Sequence, residues 1–154
     1  MKEPRMTSIR DIVVPVDFSE PSHEALRYAI GLCKRLGARL HVLHAMHLPP
    51  ELRMRGSWTA TLRGHALREL GELCDEALAA GLEVTSQLVD GYPSEAIRDY
   101  ARDARAGLIV IGSRGRSALS HVVIGSTADR TIRTAPCPVL TVKKPRPARA
   151  EEAT

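Results

Sequence analysis

Aromatic residues are scarce, with one Phe, one Trp and three Tyr among 154 residues. An interior built on stacked rings is therefore excluded, and the core must be aliphatic, made of Val, Ile, Leu and Ala. Cysteine is sparse and odd in number (Cys33, Cys74, Cys137), with no Cys-x-x-Cys pair. This offers neither a disulfide framework nor a zinc knuckle. Cys33 and Cys74 stand at apolar positions of helical patterns, where a small buried hydrophobe fits. No run approaches the roughly 20 apolar residues of a membrane span. Residues 1–11 are polar and hold no apolar signal-peptide segment. A cytoplasmic location is expected, with no membrane partner. Also missing are the GxxxxGK[ST] of a Walker A loop and the glycine elbow of a serine hydrolase. Ser19 and His23 have no recognisable third partner, so nucleophilic catalysis is not expected of them.

A length of 154 residues suits one domain. A chain of this size buries roughly 68–70% of its unfolded surface and needs no staple. The net charge is +4 and the pI is about 9.3, which fits an anionic partner. Several bases fall in the tail as Lys143, Lys144, Arg146 and Arg149, broken by Pro145 and Pro147 and followed by Glu151 and Glu152. The reading is a domain over 1–144 and a solvated, disordered tail over 145–154. A nucleic-acid-binding arm would interleave aromatics to stack on bases. None does, so nucleic acid is not an expected partner.

The apolar run 12–16 reads as a buried strand. Ser19 or Ser22 can cap the helix that follows, with Pro21 in its first turn. Ala25, Leu26, Ala29, Ile30, Cys33 and Leu36 recur at helical spacing, and Gly37 closes the helix. Residues 40–45 form a second strand. Segment 46–60 holds two prolines, arginines and Trp58 without a clear period, and reads as a long loop or lid. Trp58 there fits an interface or loop-packing role. Ala66, Leu70, Leu73, Ala77 and Leu78 mark a second helix, and residues 84–89 a third strand. A third helix carries Ala96, Ile97, Tyr100, Ala101 and Ala104. Residues 108–111 are wholly apolar and read as a central strand. Ser126 and Asp129 stand at capping-box spacing for a last helix, and residues 139–142 form the last strand. The alternation β-α-β-α-β-α-β-α-β predicts one parallel sheet with helices on both faces. Ligands of such folds lie at the carboxyl ends of strands, where strand order reverses. The loops starting at Asp17 and at Gly112 occupy such ends.

Within 112–127, Gly112 and Gly115 can let backbone N–H groups approach a phosphate. Gly125, Ser126 and Thr127 open a helix, whose free N–H groups and dipole favour an anion. Arg114 and Arg116 add positive charge. From these residues alone, a phosphate cradle and a turn-rich loop leading into a capped helix are equally good accounts. His41, His44 and His47 fall three apart, but on a strand His41 and His44 face opposite sides, so no metal site is expected.

The spacing G-x2-G-x9-G-[ST] over Gly112, Gly115, Gly125 and Ser126 resembles the ATP-binding signature of the universal stress protein family. Four further stretches resemble that family: the opening Ile-Val-Val-Pro-Val-Asp-Phe-Ser at 12–19, Val-Leu-His-Ala at 42–45, the Gly-Tyr-Pro turn at 91–97, and Ala-Pro-Cys-Pro-Val-Leu at 135–140. The resemblance covers 9–143. It implies an open five-stranded Rossmann-like α/β sheet, of the adenine nucleotide alpha hydrolase-like type, holding ATP with magnesium. Carried over by position, Pro15 and Asp17 border the nucleotide and the backbone of Ala45 meets adenine. Ile111, Gly112, Arg114 and Gly115 line ribose and phosphate, and Gly125, Ser126 and Thr127 hold the terminal phosphates. The family implies a homodimer paired through strand 139–142 and a regulatory role in stress, exerted through nucleotide-dependent contacts with a further protein. The alternatives are a slow ATPase or phosphotransfer enzyme, and a sensor of AMP or cyclic AMP. No general base is assigned, so at most slow ATP hydrolysis is expected, with no catalytic residue.

Overall fold

The computed structural model describes residues 8–114 and 124–143. Gly115, Arg116, His121 and the tail 145–154 lie outside the described residues. The elements run β1 (Asp11–Pro15), α1 (Glu20–Leu36), β2 (Arg39–Met46), α2 (Pro50–Arg53), α3 (Gly56–Ala79), β3 (Val84–Asp90), α4 (Pro93–Asp103), β4 (Leu108–Gly112), α5 (Ser126–Thr134), β5 (Val139–Val142). The strands form one parallel sheet in the order β3-β2-β1-β4-β5. The fold is thus an open five-stranded Rossmann-like α/β sheet. β4 is an inner strand, but the middle of the sheet is β1, whose Ile12, Val13 and Val14 are fully buried.

Because side chains alternate along a strand, the sheet feeds two cores. Ile12, Val14, Leu40, Val42 and Val110 pack with Ala25, Leu26 and Cys33 of α1 and with Leu70, Cys74 and Ala77 of α3. Val13, Leu43, Ile109 and Ile111 pack on the other face with Ile97 and Ala101 of α4 and Ala128 of α5. Each fully buried Val, Leu or Ile among them contributes about 1.5–3 kcal/mol. Cys33 and Cys74 are buried as expected.

α1 begins and ends on local chemistry. Ser19 is its N-cap and accepts the Ser22 N–H, Pro21 lies in the first turn, and Gly37 closes it at φ 65°. That left-handed conformation suits glycine.

Two readings need correction. Segment 46–60 is not a loop: α2 and the start of α3 occupy it. None of residues 56–65 is buried, so this part of α3 has no core face and no apolar stripe to reveal it. The cap of α5 is Gly125, in extended conformation, with no side-chain cap bond. Ser126 is the first helical residue rather than the cap.

At the amino ends of the strands, Asp11 is buried. Its carboxylate accepts from Nε and Nη2 of Arg39, both at 2.9 Å, and pairs with Nε2 of His41 at 2.8 Å. Nδ1 of His41 bonds the Tyr100 hydroxyl of α4 at 3.0 Å. Burial alone would raise the Asp11 pKa, but the bonds and charges of Arg39 and His41 outweigh it and hold it below its ordinary value.

Candidate functional site

Strand order reverses between β1 and β4, so the carboxyl ends of those two strands open the crevice in which ligands of such sheets bind. The chain leaving β1 stays in register for one residue more, with Val16 N–H donating to Leu43 O at 2.8 Å. Nδ1 of His44 donates to Val16 O at 2.7 Å. The next residue, Asp17, organises a tight turn. Its Oδ1 accepts from the Ser19 backbone N–H at 3.0 Å and from the Ser19 hydroxyl. Ser19 Oγ in turn accepts from Ser22 N–H. Phe18, between them, sits at φ 63°, which costs a residue with a Cβ about 1–2 kcal/mol. Its ring lies 4.4 Å from that of His44, centroid to centroid. The Asp-x-Ser spacing is a signal for such a turn.

The end of β4 meets the start of α1. A Cβ built on Gly112 would stand 2.8 Å from the Pro21 carbonyl oxygen and 2.9 Å from its carbon. The glycine at this position is therefore demanded by packing against α1. Ser113, buried, donates its N–H to Val142 O at 3.0 Å, and its carbonyl accepts the Gly125 N–H at 2.6 Å. Residues on the two sides of 115–123 thus meet beside the start of α5.

The structure places Pro15 at the end of β1, Asp17 in the β1–α1 turn, Ala45 next to last in β2, and Ile111 and Gly112 at the end of β4. Arg114 follows β4, and Gly125, Ser126 and Thr127 are the cap and first two residues of α5. All these lie on the carboxyl edge of the sheet. Ile111 and Gly112 are buried, Pro15, Asp17, Ala45, Arg114, Gly125 and Thr127 half-buried, and Ser126 exposed. Gly115 lies outside the described residues. The first N–H groups of a helix have no intrahelical acceptor. Those of Ser126, Thr127 and Ala128 therefore give this edge a concentration of donors and partial positive charge. Sequence reasoning missed Ser113, Phe18 and His44, which shape the edge through contacts far apart in the chain.

The three histidines do not converge. His41 serves the amino-end network, His44 the β1–α1 turn, and His47 stacks on Tyr92 at 4.1 Å. Among the described residues no cluster of three His, Cys, Asp or Glu could hold a metal ion. None of their helices is long and apolar enough to cross a membrane.

A parallel sheet with a 3-2-1-4-5 order and an anion-favouring helix start at its switch point defines a Rossmann-like class of protein. Residues 8–143 match the model of the universal stress protein family, and the chain belongs to that family. A universal stress protein of Methanocaldococcus jannaschii is 32% identical over 142 residues, spanning 89% of this chain and 84% of the relative. The solved universal stress protein of Archaeoglobus fulgidus is 28% identical with a TM-score of 0.71, covering 87% of this chain and 98% of that one. A universal stress protein solved in complex with cAMP is 26% identical with a TM-score of 0.71, covering 88% and 98%.

Proposed function

We propose that this protein binds ATP, with magnesium, at the carboxyl edge of β1 and β4 and acts as a regulator whose protein contacts depend on the nucleotide. The observation that carries this reading is that the switch point of the sheet brings to one edge the Asp17 turn after β1 and, through the Ser113–Gly125 bond after β4, the start of α5. Helix amides, the hydroxyls of Ser126 and Thr127 and the Arg114 guanidinium suit phosphate oxygens. Asp17 already accepts two bonds from Ser19, so its carboxylate is oriented by the turn before any ligand arrives. The cAMP held by one structural neighbour supports a second reading, a sensor of AMP or cyclic AMP at the same edge.

Magnesium would come with the triphosphate, because the described residues offer no ready cluster for it. We place the protein among binders with at most slow hydrolysis. Phosphoryl transfer needs an oriented nucleophile as well as charge neutralisation, and the residues assigned to the site supply amides, hydroxyls and a guanidinium but one carboxylate, that of Asp17.

The same reading includes a homodimer in the cytoplasm. β5 is an edge strand, and an uncovered apolar edge invites pairing. Beside it α1 and β5 frame an open groove of about 540 Å³ that includes Tyr28, Leu140 and Val142. An isologous contact would cover both. Light scattering checks this, and a monomer mass at micromolar concentration refutes it.

Mass spectrometry of nucleotide released from purified protein, with calorimetry of ATP, AMP and cyclic AMP, tests the ligand. Gly125 has φ −72° and ψ 160°, which any residue adopts, so Gly125→Val should fold and yet screen the helix amides. Unchanged ATP affinity in that variant would place the ligand elsewhere.

A further inference from the structure

Helix α3 carries its charges in the wrong order for a helix in water. In α1, Glu20 stands in the first turn and Lys34 and Arg35 in the last, as the macrodipole favours. α3 has no acid in its first turn and no base in its last. Its cap is Arg55, without a side-chain cap bond, and Arg53 lies two residues earlier. Glu72, Asp75 and Glu76 crowd its last two turns. Both ends thus oppose the dipole, and a lone solvated helix gains nothing from that arrangement.

The same helix overhangs the sheet. Its 24 residues span about 36 Å at 1.5 Å per residue, and its first ten bury nothing. On and beside this overhang Met54 is 90% exposed and Trp58 63%, with Leu52 and Leu62 also exposed. From Trp58 onward a strip runs through Leu62, His65, Glu69, Glu72 and Glu76. The steps alternate four and three, the spacing of a helix-pairing seam. All six are exposed or half-exposed. The strip is basic and apolar at one end and acidic at the other.

We propose that α3 pairs antiparallel with α3 of a second copy of this chain. Reversed about a twofold axis near the middle of the strip, Trp58 and Arg55 face the acidic end around Glu76 of the second copy. Leu62 then meets the aliphatic stem of its Glu72, and His65 meets its Glu69. Glu76 gains a guanidinium or an indole N–H, the Glu72 stem covers Leu62, and the two dipoles lie head to tail. The contact is isologous. It lies with α3 over β2 and β3, whereas β5 forms the opposite edge of the sheet, so it is distinct from any pairing through β5.

Trp58 is the sole tryptophan and reports on this contact alone. Sedimentation and tryptophan emission are followed together from low micromolar to near-millimolar protein at low salt. Emission should shift to the blue as mass rises, and high salt should reverse both. Arg55→Glu and Glu72→Lys/Glu76→Lys should each abolish the shift while melting no lower than wild type, because each swap brings charge into line with the α3 dipole. An equal mixture of the two variants should regain the shift, since opposite charges again face each other at both ends. A wild-type emission that stays unshifted overturns the proposal. So does a shift that survives in both variants, or a mixture of folded variants that remains unshifted. Melting well below wild type in either variant also counts against it, because the inverted charge order is its premise.

Discussion

Gly112→Ala tests whether the carboxyl edge is built by packing. The added Cβ would lie 2.8 Å from the Pro21 oxygen, 2.9 Å from its carbonyl carbon and 3.2 Å from its Cβ. These belong to the backbone and ring of a capped first turn, so no flexible side chain can swing away. Gly112 is itself held in register with Val142. Relief must come from shifting α1 relative to β4, and both contribute to the larger core. Overpacking of this kind costs about 1–3 kcal/mol. For a domain of this size that lowers Tm by about 2–12 °C. Thermal and urea unfolding measure it. Gly31→Ala is the control, since a Cβ there meets nothing within 4 Å; it should stabilise α1 by about 0.5–1 kcal/mol. If Gly112→Ala melts at or above wild type and loses only ATP affinity, the glycine serves the ligand and the packing argument fails.

Asp11→Asn should destabilise the fold by about 1–3 kcal/mol at neutral pH, because a buried carboxylate loses its charge-assisted bonds. The folded Asp11 pKa is held below the unfolded value. Its stabilisation is therefore complete above the ordinary carboxylate value near 4 and is lost as pH falls through the lower folded value. Urea midpoints across acidic pH should fall less steeply in the variant, and parallel curves would refute the assignment. Burial raises both the Cys33 thiol, to about 11, and the Cys137 thiol, but Cys33 is fully buried and Cys137 half-buried, so native-state labelling should reach Cys137 long before Cys33; equal rates would contradict the burial. Phosphate release from ATP with magnesium should stay well below the ~1 s⁻¹ low end of typical enzymes, and faster release that disappears in Asp17→Ala would move the protein to the enzymes.

The elements legible from sequence were those whose period is imposed by the core. β1, β4 and the buried stretches of α1 and α4 carry apolar residues at strand or helix spacing because both cores draw on them. The start of α3 was not legible, since a helix that leaves the sheet meets no core and shows no stripe. The α5 cap was misjudged by one residue because a glycine in extended conformation and a serine are both good caps, and nothing local chooses between them. At the site, chain order sufficed to bring Pro15, Asp17, Ala45, Gly112 and the start of α5 to one edge. The reason for Gly112 was not legible, because the atom that excludes a side chain there belongs to Pro21, some ninety positions away.

The two ends of β1 divide the labour of the sheet. At the amino end, Asp11 ties β1 to Arg39 and His41 of β2, and His41 extends the tie to Tyr100 of α4. Such a network tolerates little sliding, because any slip between β1 and β2 breaks a pair of 2.9 Å bonds from one guanidinium. With register fixed there, the carboxyl end can carry strain. Phe18 is held left-handed by the Asp17–Ser19 bonds on one side and by its contact with His44 on the other. His44 is in turn anchored to Val16 O. Loosening the anchor should therefore relax the turn without unfolding the sheet. A ligand bound at this edge, as proposed, would meet an Asp17 already positioned by the serine hydroxyls of its turn, so little of its binding energy would be spent on ordering the turn.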